Sequence, residues 1–251
     1  MPYPFTKKLT YYHLLLTLLV SVLPFLIFYN IWYPEEIIEL TGGRGVLEIF
    51  IIVELLLFIT IATLLFLSRK DSNKEIIIKY SFLCILQISA SAIGYKTLYE
   101  AKPVYIAYEF NRFRVVRPID LLGESNKFTP YNLMSGPEII GTEKLAPSNP
   151  EFLMSIKDAI NGNHPSFKVA RQIEYQPIKS EVLKNAQNIK ELTQENIEKI
   201  QLFSQLHDLD LDNLVYYPLT SHYSDEWIVL LDKKSADIVT YLNINGWYKN
   251  E

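Results

Sequence analysis

Three long apolar runs fill the first hundred positions, and after Pro103 the pattern changes to short alternating and helical segments. The runs are Leu14 to about Ile31, Val46 to Leu67 and Ile76 to Leu98. At about 1.5 Å per residue, each is long enough to cross a hydrocarbon core of roughly 30 Å. They predict three membrane helices, at about 9–33, 46–67 and 76–99. The third run passes without a flexible linker into Glu100-Ala101-Lys102-Pro103-Val104-Tyr105, where proline stops the helix and β-formers follow. Ile76 to Val116 thus joins a membrane half, 1–102, to a second half, 103–251.

The first run reads as a retained helix rather than a signal peptide. It is long for a signal core, lacks a small-x-small cleavage site, and is flanked by Tyr11, Tyr12, Tyr29, Trp32 and Tyr33, which suit aromatic belts at two interfaces. Pro24 is expected to kink it only, because neighbouring helices can satisfy the carbonyl that proline frees.

Beyond Pro103 the alternation predicts a hairpin from Val104–Tyr108 and Phe113–Val116 around a polar turn, and a closing hairpin from Trp227–Asp232 and Ile238–Leu242. Asp120 to Asn132 reads as a polar, turn-rich stretch, and Gly136–Gly141 as a short edge strand. Asn149-Pro150 opens a helix with Phe152, Ile156 and Ile160 on one face and Gly162 at its end. Ser180–His207 reads as two helices with Thr193 capping the second. Tyr216-Tyr217-Pro218-Leu219 reads as an extended segment closing against the sheet. The predicted fold is therefore an α-helical membrane half plus a small α+β domain with antiparallel hairpins.

Charge sets an orientation. Lys7 and Lys8 precede the first run, and Arg69, Lys70, Lys74 and Lys79 crowd the second loop, whereas the first loop carries Glu35, Glu36 and Glu39. By the positive-inside rule the N-terminus is cytoplasmic and everything after Pro103 lies outside, the periplasm in a Gram-negative cell. The net charge of -4 gives no footprint for nucleic acid. Cys84 is the single cysteine, so no intrachain disulfide can form.

Polar positions within the runs are the candidate sites. Cys84, Gln87, Ser91 and Gly94 share a face of the third helix, either for packing against the first two helices or as a docking groove for another protein's membrane helix. Glu54 lies well inside the second run, where a charge costs roughly 2.5–3.5 kcal/mol on insertion scales and so faces protein or water. Glu48, nearer an end, reads as solvated. His164, His207 and His222 stand at no ligand spacing, and Asp208-Leu209-Asp210-Leu211-Asp212 lacks the glycine and glutamate of a calcium loop. With no nucleophile elbow and no phosphate loop either, no cofactor, metal or enzymatic activity is expected. The many tyrosines and tryptophans after Pro103 read mostly as core, with some suited to a protein-binding face.

The order of features resembles the TfpX/TfpZ family of type IV pilin accessory proteins. The likeness runs through His13-Leu14, Trp32-Tyr33-Pro34, Gln87-Ile88-Ser89-Ala90, Gly94-Tyr95, Ala101-Lys102-Pro103-Val104-Tyr105 and Asn111-Arg112-Phe113-Arg114-Val115-Val116, then more weakly through Gly136-Pro137, Tyr217-Pro218-Leu219 and Trp247. The second run lacks the family's usual Gly-Pro, and Lys102 stands where arginine is usual, which removes a bidentate fork. The resemblance implies an inner-membrane, chaperone-like helper that stabilises a cognate major pilin and promotes its assembly. Its implied partners are that pilin, the lipid bilayer and other pilus assembly proteins. On this reading the partner-binding residues are Glu54, Gln87, Ser91 and Gly94 in the membrane, and Lys102, Tyr105, Arg112 and Phe113 in and before the first hairpin. The alternatives are a membrane-anchored sensor or ligand-binding module, which needs a cytoplasmic output element, and a glycan- or pilin-modifying enzyme, which needs an acid–base pair.

Overall fold

The computed structural model describes residues 3–33, 36–68, 71–123 and 135–248. Pro34, Glu35, Arg69, Lys70 and the part of the turn-rich stretch beyond position 123 lie outside the described residues. The chain forms two compact units: Met1–Trp32 with Gly43–Lys102, and Tyr33–Gly42 with Pro103–Glu251.

The first unit holds three helices long and apolar enough to cross a membrane, Lys7–Trp32, Gly43–Leu67 and Asn73–Ala101. The first comprises α1 (Tyr3–Ile27) and a π-helical turn over Phe28–Trp32; the others are α3 (Gly43–Leu67) and α4 (Asn73–Ala101). Apolar side chains cover these helices nearly all round, and Leu19, Ile52, Phe82, Ile85 and Ile93 point outward, a pattern compatible with membrane helices. The inward side is narrow. Ile61, Leu65 and Ile76 pack with Leu9, Tyr80 and Leu83. Ser72 and Glu75 close a reciprocal capping box that starts α4.

Pro24 does not end α1. Its ring removes the bond that would close on the Val20 carbonyl four residues earlier. That carbonyl accepts instead from the Tyr95 hydroxyl of α4, and the helix widens to π geometry just after the proline. Tyr95→Phe, which removes the donor and keeps the ring, is expected to cost about 0.6–1.7 kcal/mol, read as a lower unfolding temperature of the detergent-solubilised chain. Tyr11, Tyr12 and Tyr29 are exposed as an aromatic belt requires, but Trp32 and Tyr33 are buried. The Trp32 ring lies 3.8 Å from Phe28 and 6.2 Å from Tyr99, so it serves packing.

The second unit is built on one seven-stranded sheet in the order β4-β3-β1-β2-β5-β6-β7. Its strands are β1 (Tyr105–Tyr108), β2 (Phe113–Val116), β3 (Glu138–Thr142), β4 (Gln172–Glu174), β5 (Leu214–Thr220), β6 (Trp227–Asp232) and β7 (Ile238–Leu242). Both expected hairpins form, β1–β2 and β6–β7. They do not stand as separate antiparallel pairs, because β1 pairs parallel with β3 and β2 parallel with β5, making the sheet mixed. The Gly136–Gly141 reading is corrected likewise: β3 is not an edge strand but lies between β1 and β4. Tyr216–Leu219 belongs to the interior strand β5. Pro218 is tolerated there because β2 pairs only with Leu219 and Thr220, while the earlier part of β5 meets Gln187.

Helices α6 (Lys179–Asn185) and α7 (Gln194–Leu206) separate β4 from β5. Thr193 occupies the N-cap of α7 without a side-chain bond. Their core joins Ile189, Leu192 and Ile200 to Leu214, Tyr216, Ile228, Leu230 and Ile244. A second core gathers Val104, Ala107, Val116 and Leu121. Helix α5 (Phe152–Ile160) forms and ends at Gly162 with φ +88°, as expected of a C′ glycine. Its apolar side is not covered, however: Leu153, Met154, Ile156 and Ile160 are exposed, and the buried contact is Ser155, which accepts from Arg171 Nη1 at 2.6 Å.

The loop Tyr33–Gly42 belongs to this second unit. Its one-turn helix α2 (Ile37–Leu40) buries Ile37, Ile38 and Leu40. The Leu40 carbonyl accepts from Ser221 Oγ at 2.6 Å.

Candidate functional site

Polar side chains inside the helical unit converge on one carboxyl. Glu54 is buried, and Ser91 Oγ donates to its Oε1 at 2.5 Å while Gln87 Nε2 donates to its Oε2 at 3.3 Å. The same Gln87 amide donates to Thr17 Oγ1 at 3.3 Å. All three long helices are therefore tied into a single network, through Thr17, Glu54, and both Gln87 and Ser91, which relieves the cost of an unpartnered polar group in an apolar medium. Gly94 sits one turn beyond Ser91 because a side chain there would meet the Phe50 ring: a Cβ would lie 2.7 Å from it. His13 is fully buried, its ring stacked 5.5 Å from Phe58 and edge-on 5.9 Å from Tyr80. Neither of its nitrogens has a partner among the described residues.

Lys102 follows at the C-cap of α4, buried, with Nζ 4.8 Å above the Trp32 ring and 5.2 Å from that of Tyr99. Burial draws its pKa below the ordinary lysine value. A compact ammonium suits this aromatic cradle, where the planar fork of arginine is not required.

In the sheet unit the geometry centres on the β1–β2 turn. Phe113 is fully buried among Tyr108, Tyr175 and Tyr217 at ring distances of 5.4, 6.2 and 5.6 Å, and Tyr105 is half-buried. Glu109, just before the turn, is buried and accepts from Arg114 Nε at 3.0 Å, Ser166 Oγ at 2.6 Å and Ser166 N at 3.1 Å. Burial pushes this carboxyl up, but the Arg114 charge and the Ser166 bonds outweigh it and hold the pKa below the usual carboxylate value. The sequence reading treated Glu109 as turn polarity. The overlooked signal was Arg114 inside the apolar run Phe113–Val116, since a buried arginine needs a buried acceptor.

The tip itself is strained. Phe110 has φ +59°, a left-handed conformation that bulky residues rarely adopt, and its carbonyl is held by the Tyr108 hydroxyl at 2.7 Å. Arg112 lies with its guanidinium 4.8 Å from the Trp247 ring centre, and Lys144 Nζ lies 5.5 Å from that of Phe110. Among the described residues no group of three or more histidine, cysteine or acidic side chains is arranged to hold a metal ion.

No protein-family profile matches the chain, and no solved structure matches it. Curated relatives do. The chain is similar to fimbrial assembly proteins. It is 24% identical over 260 residues to the serogroup I fimbrial assembly protein of Dichelobacter nodosus, covering 97% of this chain and 96% of the relative. The serogroup E1 protein of the same organism is 26% identical over 252 residues, with the same coverage of both chains. The relative of serogroups C1 and C2 is 27% identical over 118 residues, 47% of this chain. The first two similarities span both compact units.

Proposed function

We propose that the chain is a non-enzymatic accessory protein of type IV pilus assembly, of the TfpX/TfpZ kind. It holds a cognate major pilin in a stable form in the inner membrane and promotes its incorporation into the pilus. The observation that carries this reading is the near full-length similarity to fimbrial assembly proteins, combined with three apolar helices ahead of a sheet unit. A pilin, in the family's terms, offers one long apolar helix and a head outside the membrane. This chain offers apolar helices for the one and a sheet unit for the other.

A cytoplasmic N-terminus and three crossings put the loop 33–42 and everything after Pro103 on one side of the membrane, and those two segments share a compact unit. Glu54, Gln87, Ser91, Lys102 and Phe113 are buried, so their contribution to partner binding is to fix the helices and the hairpin in position. Arg112, half-buried at the turn, is the hairpin residue we assign to contact with the pilin head. Deleting the gene is expected to lower the cognate pilin in membrane fractions several-fold and to remove most surface pili, measured by immunoblot and electron microscopy. Unchanged pilin and piliation would overturn the proposal.

A further inference from the structure

The geometry points to the tip of the β1–β2 hairpin as a carboxylate-reading surface, which we infer receives an acidic segment of the pilin head. The inference rests on the pilus-assembly reading above and names the chemistry by which this face would recognise its partner.

Three observations converge there. First, the tip carries two cations that form no ion pair among the described residues. Arg112 makes one hydrogen bond, through Nε to Asn111 Oδ1 at 3.2 Å, so its two terminal amino groups bond to nothing among the described residues. Lys144 is exposed and forms no ion pair among them. Of the acids near the tip, Glu109 is turned inward and satisfied by Arg114 and Ser166, while the exposed Glu143, next to Lys144 in the chain, and Asp225, whose carbonyl accepts from Trp247, form no ion pair with either cation among the described residues. His164, on the segment that brings Ser166, is held below its ordinary pKa by burial and by the charge of Arg114, which favours its neutral form, so the positive charge of the tip is that of Arg112 and Lys144.

Second, both cations are positioned before any partner arrives. Each lies over an aromatic face, Arg112 on Trp247 and Lys144 on Phe110. Trp247 is in turn fixed by its indole N–H, which donates to the Asp225 carbonyl at 3.0 Å. Stacking leaves the guanidinium edge free for bidentate contact with a carboxylate and reduces the rotamer freedom lost on binding. Third, the turn is held in a conformation that costs about 1–3 kcal/mol. The Tyr108 hydroxyl and the buried ion pair maintain it. A rigid, aromatic-backed pair of cations, one of them an arginine, fits acidic side chains of a folded protein.

The test uses the full chain in membranes of cells that assemble pili. A carbodiimide, which joins an amine directly to a carboxylate, is expected to link Lys144 to an aspartate or glutamate of the major pilin, located by mass spectrometry. Lys144→Arg should abolish the link while pilin still co-purifies, and Arg112→Glu/Lys144→Glu should lower co-purified pilin by about tenfold with the chain itself still at normal abundance. Co-purification that survives the double reversal, with no Lys144 adduct in the wild type, would overturn this inference and leave the pilus-assembly reading standing. Failure of wild-type chain and pilin to co-purify at all would overturn both. A photoreactive residue at the exposed Asn111 that captures lipid, or a protein other than a pilin, would likewise overturn it.

Discussion

Arg114→Ala is expected to destabilise the sheet unit by about 3–5 kcal/mol, enough to leave much of it unfolded at physiological temperature. The cost comes from what stays behind. Glu109 is buried and carries negative charge against Arg114 Nε at 3.0 Å; without the guanidinium it keeps only the Ser166 bonds in a place where water does not reach. Replacing both partners, as in Glu109→Leu/Arg114→Met, should cost clearly less than Arg114→Ala, because two apolar groups of similar size leave no orphaned charge. Unfolding of the full chain in detergent, followed by circular dichroism, distinguishes the two. Equal losses in the single and double variants would show that packing, not charge, sets the effect.

The same pair fixes a pH dependence. Glu109 has its folded-state pKa lowered, so the folded state binds the proton less readily than the unfolded chain. Its stabilisation is fully present above the unfolded glutamate value of about 4.3 and is lost as pH falls through the lower folded value. The unfolding temperature should therefore drop on acidification below about pH 4.3, and Glu109→Gln should flatten that part of the curve.

Much of this architecture was legible in the residues, and the parts that were not share a cause. Hairpins are local: alternation around Glu109–Arg112 and around Lys233–Asp237 is enough to specify them. Joining them into one mixed sheet depends on β3 and β5, whose parallel partners are distant in sequence, and no period in Gly136–Gly141 states which strand it meets. The loop at 33–42 reads only as short and acidic, yet Ile37, Ile38 and Leu40 are buried in the sheet unit. Periodicity in α5 identified an apolar stripe but not whether anything lies against it. At the tip, Arg112, Phe110 and Trp247 stand out singly in the sequence and Lys144 does not, and their meeting was not legible because it is made only through β3 and the C-terminal segment. In the helical unit Glu54, Gln87 and Ser91 stand out in the sequence as polar positions within apolar runs; only the fold shows that they answer one another.

That mutual satisfaction yields the second large effect. Glu54→Lys is expected to cost about 3–5 kcal/mol and to lower the amount of intact chain in membranes several-fold. The site is built from donors: the Ser91 hydroxyl and the Gln87 amide both point at the Glu54 oxygens. An ammonium there has no carboxylate among the described residues to pair with, so its charge stays buried and unpaired even where the Gln87 Oε1 atom accepts from it. Glu54→Gln retains an oxygen for Ser91 and should cost less than about 1 kcal/mol. Glu54→Leu should fall between, because Ser91 can turn to the Gln87 carbonyl, 2.9 Å away, and Gln87 keeps Thr17 at 3.3 Å. The order lysine, leucine, glutamine, from most to least damaging, separates an acceptor role from a requirement for negative charge. A glutamine variant as poor as the lysine one would mean that the carboxylate itself is needed. Abundance of the chain by immunoblot, read beside abundance of the cognate pilin, adds the functional half: pilin should fall in step with the chain, since the network acts by holding the three helices together and not by touching the pilin.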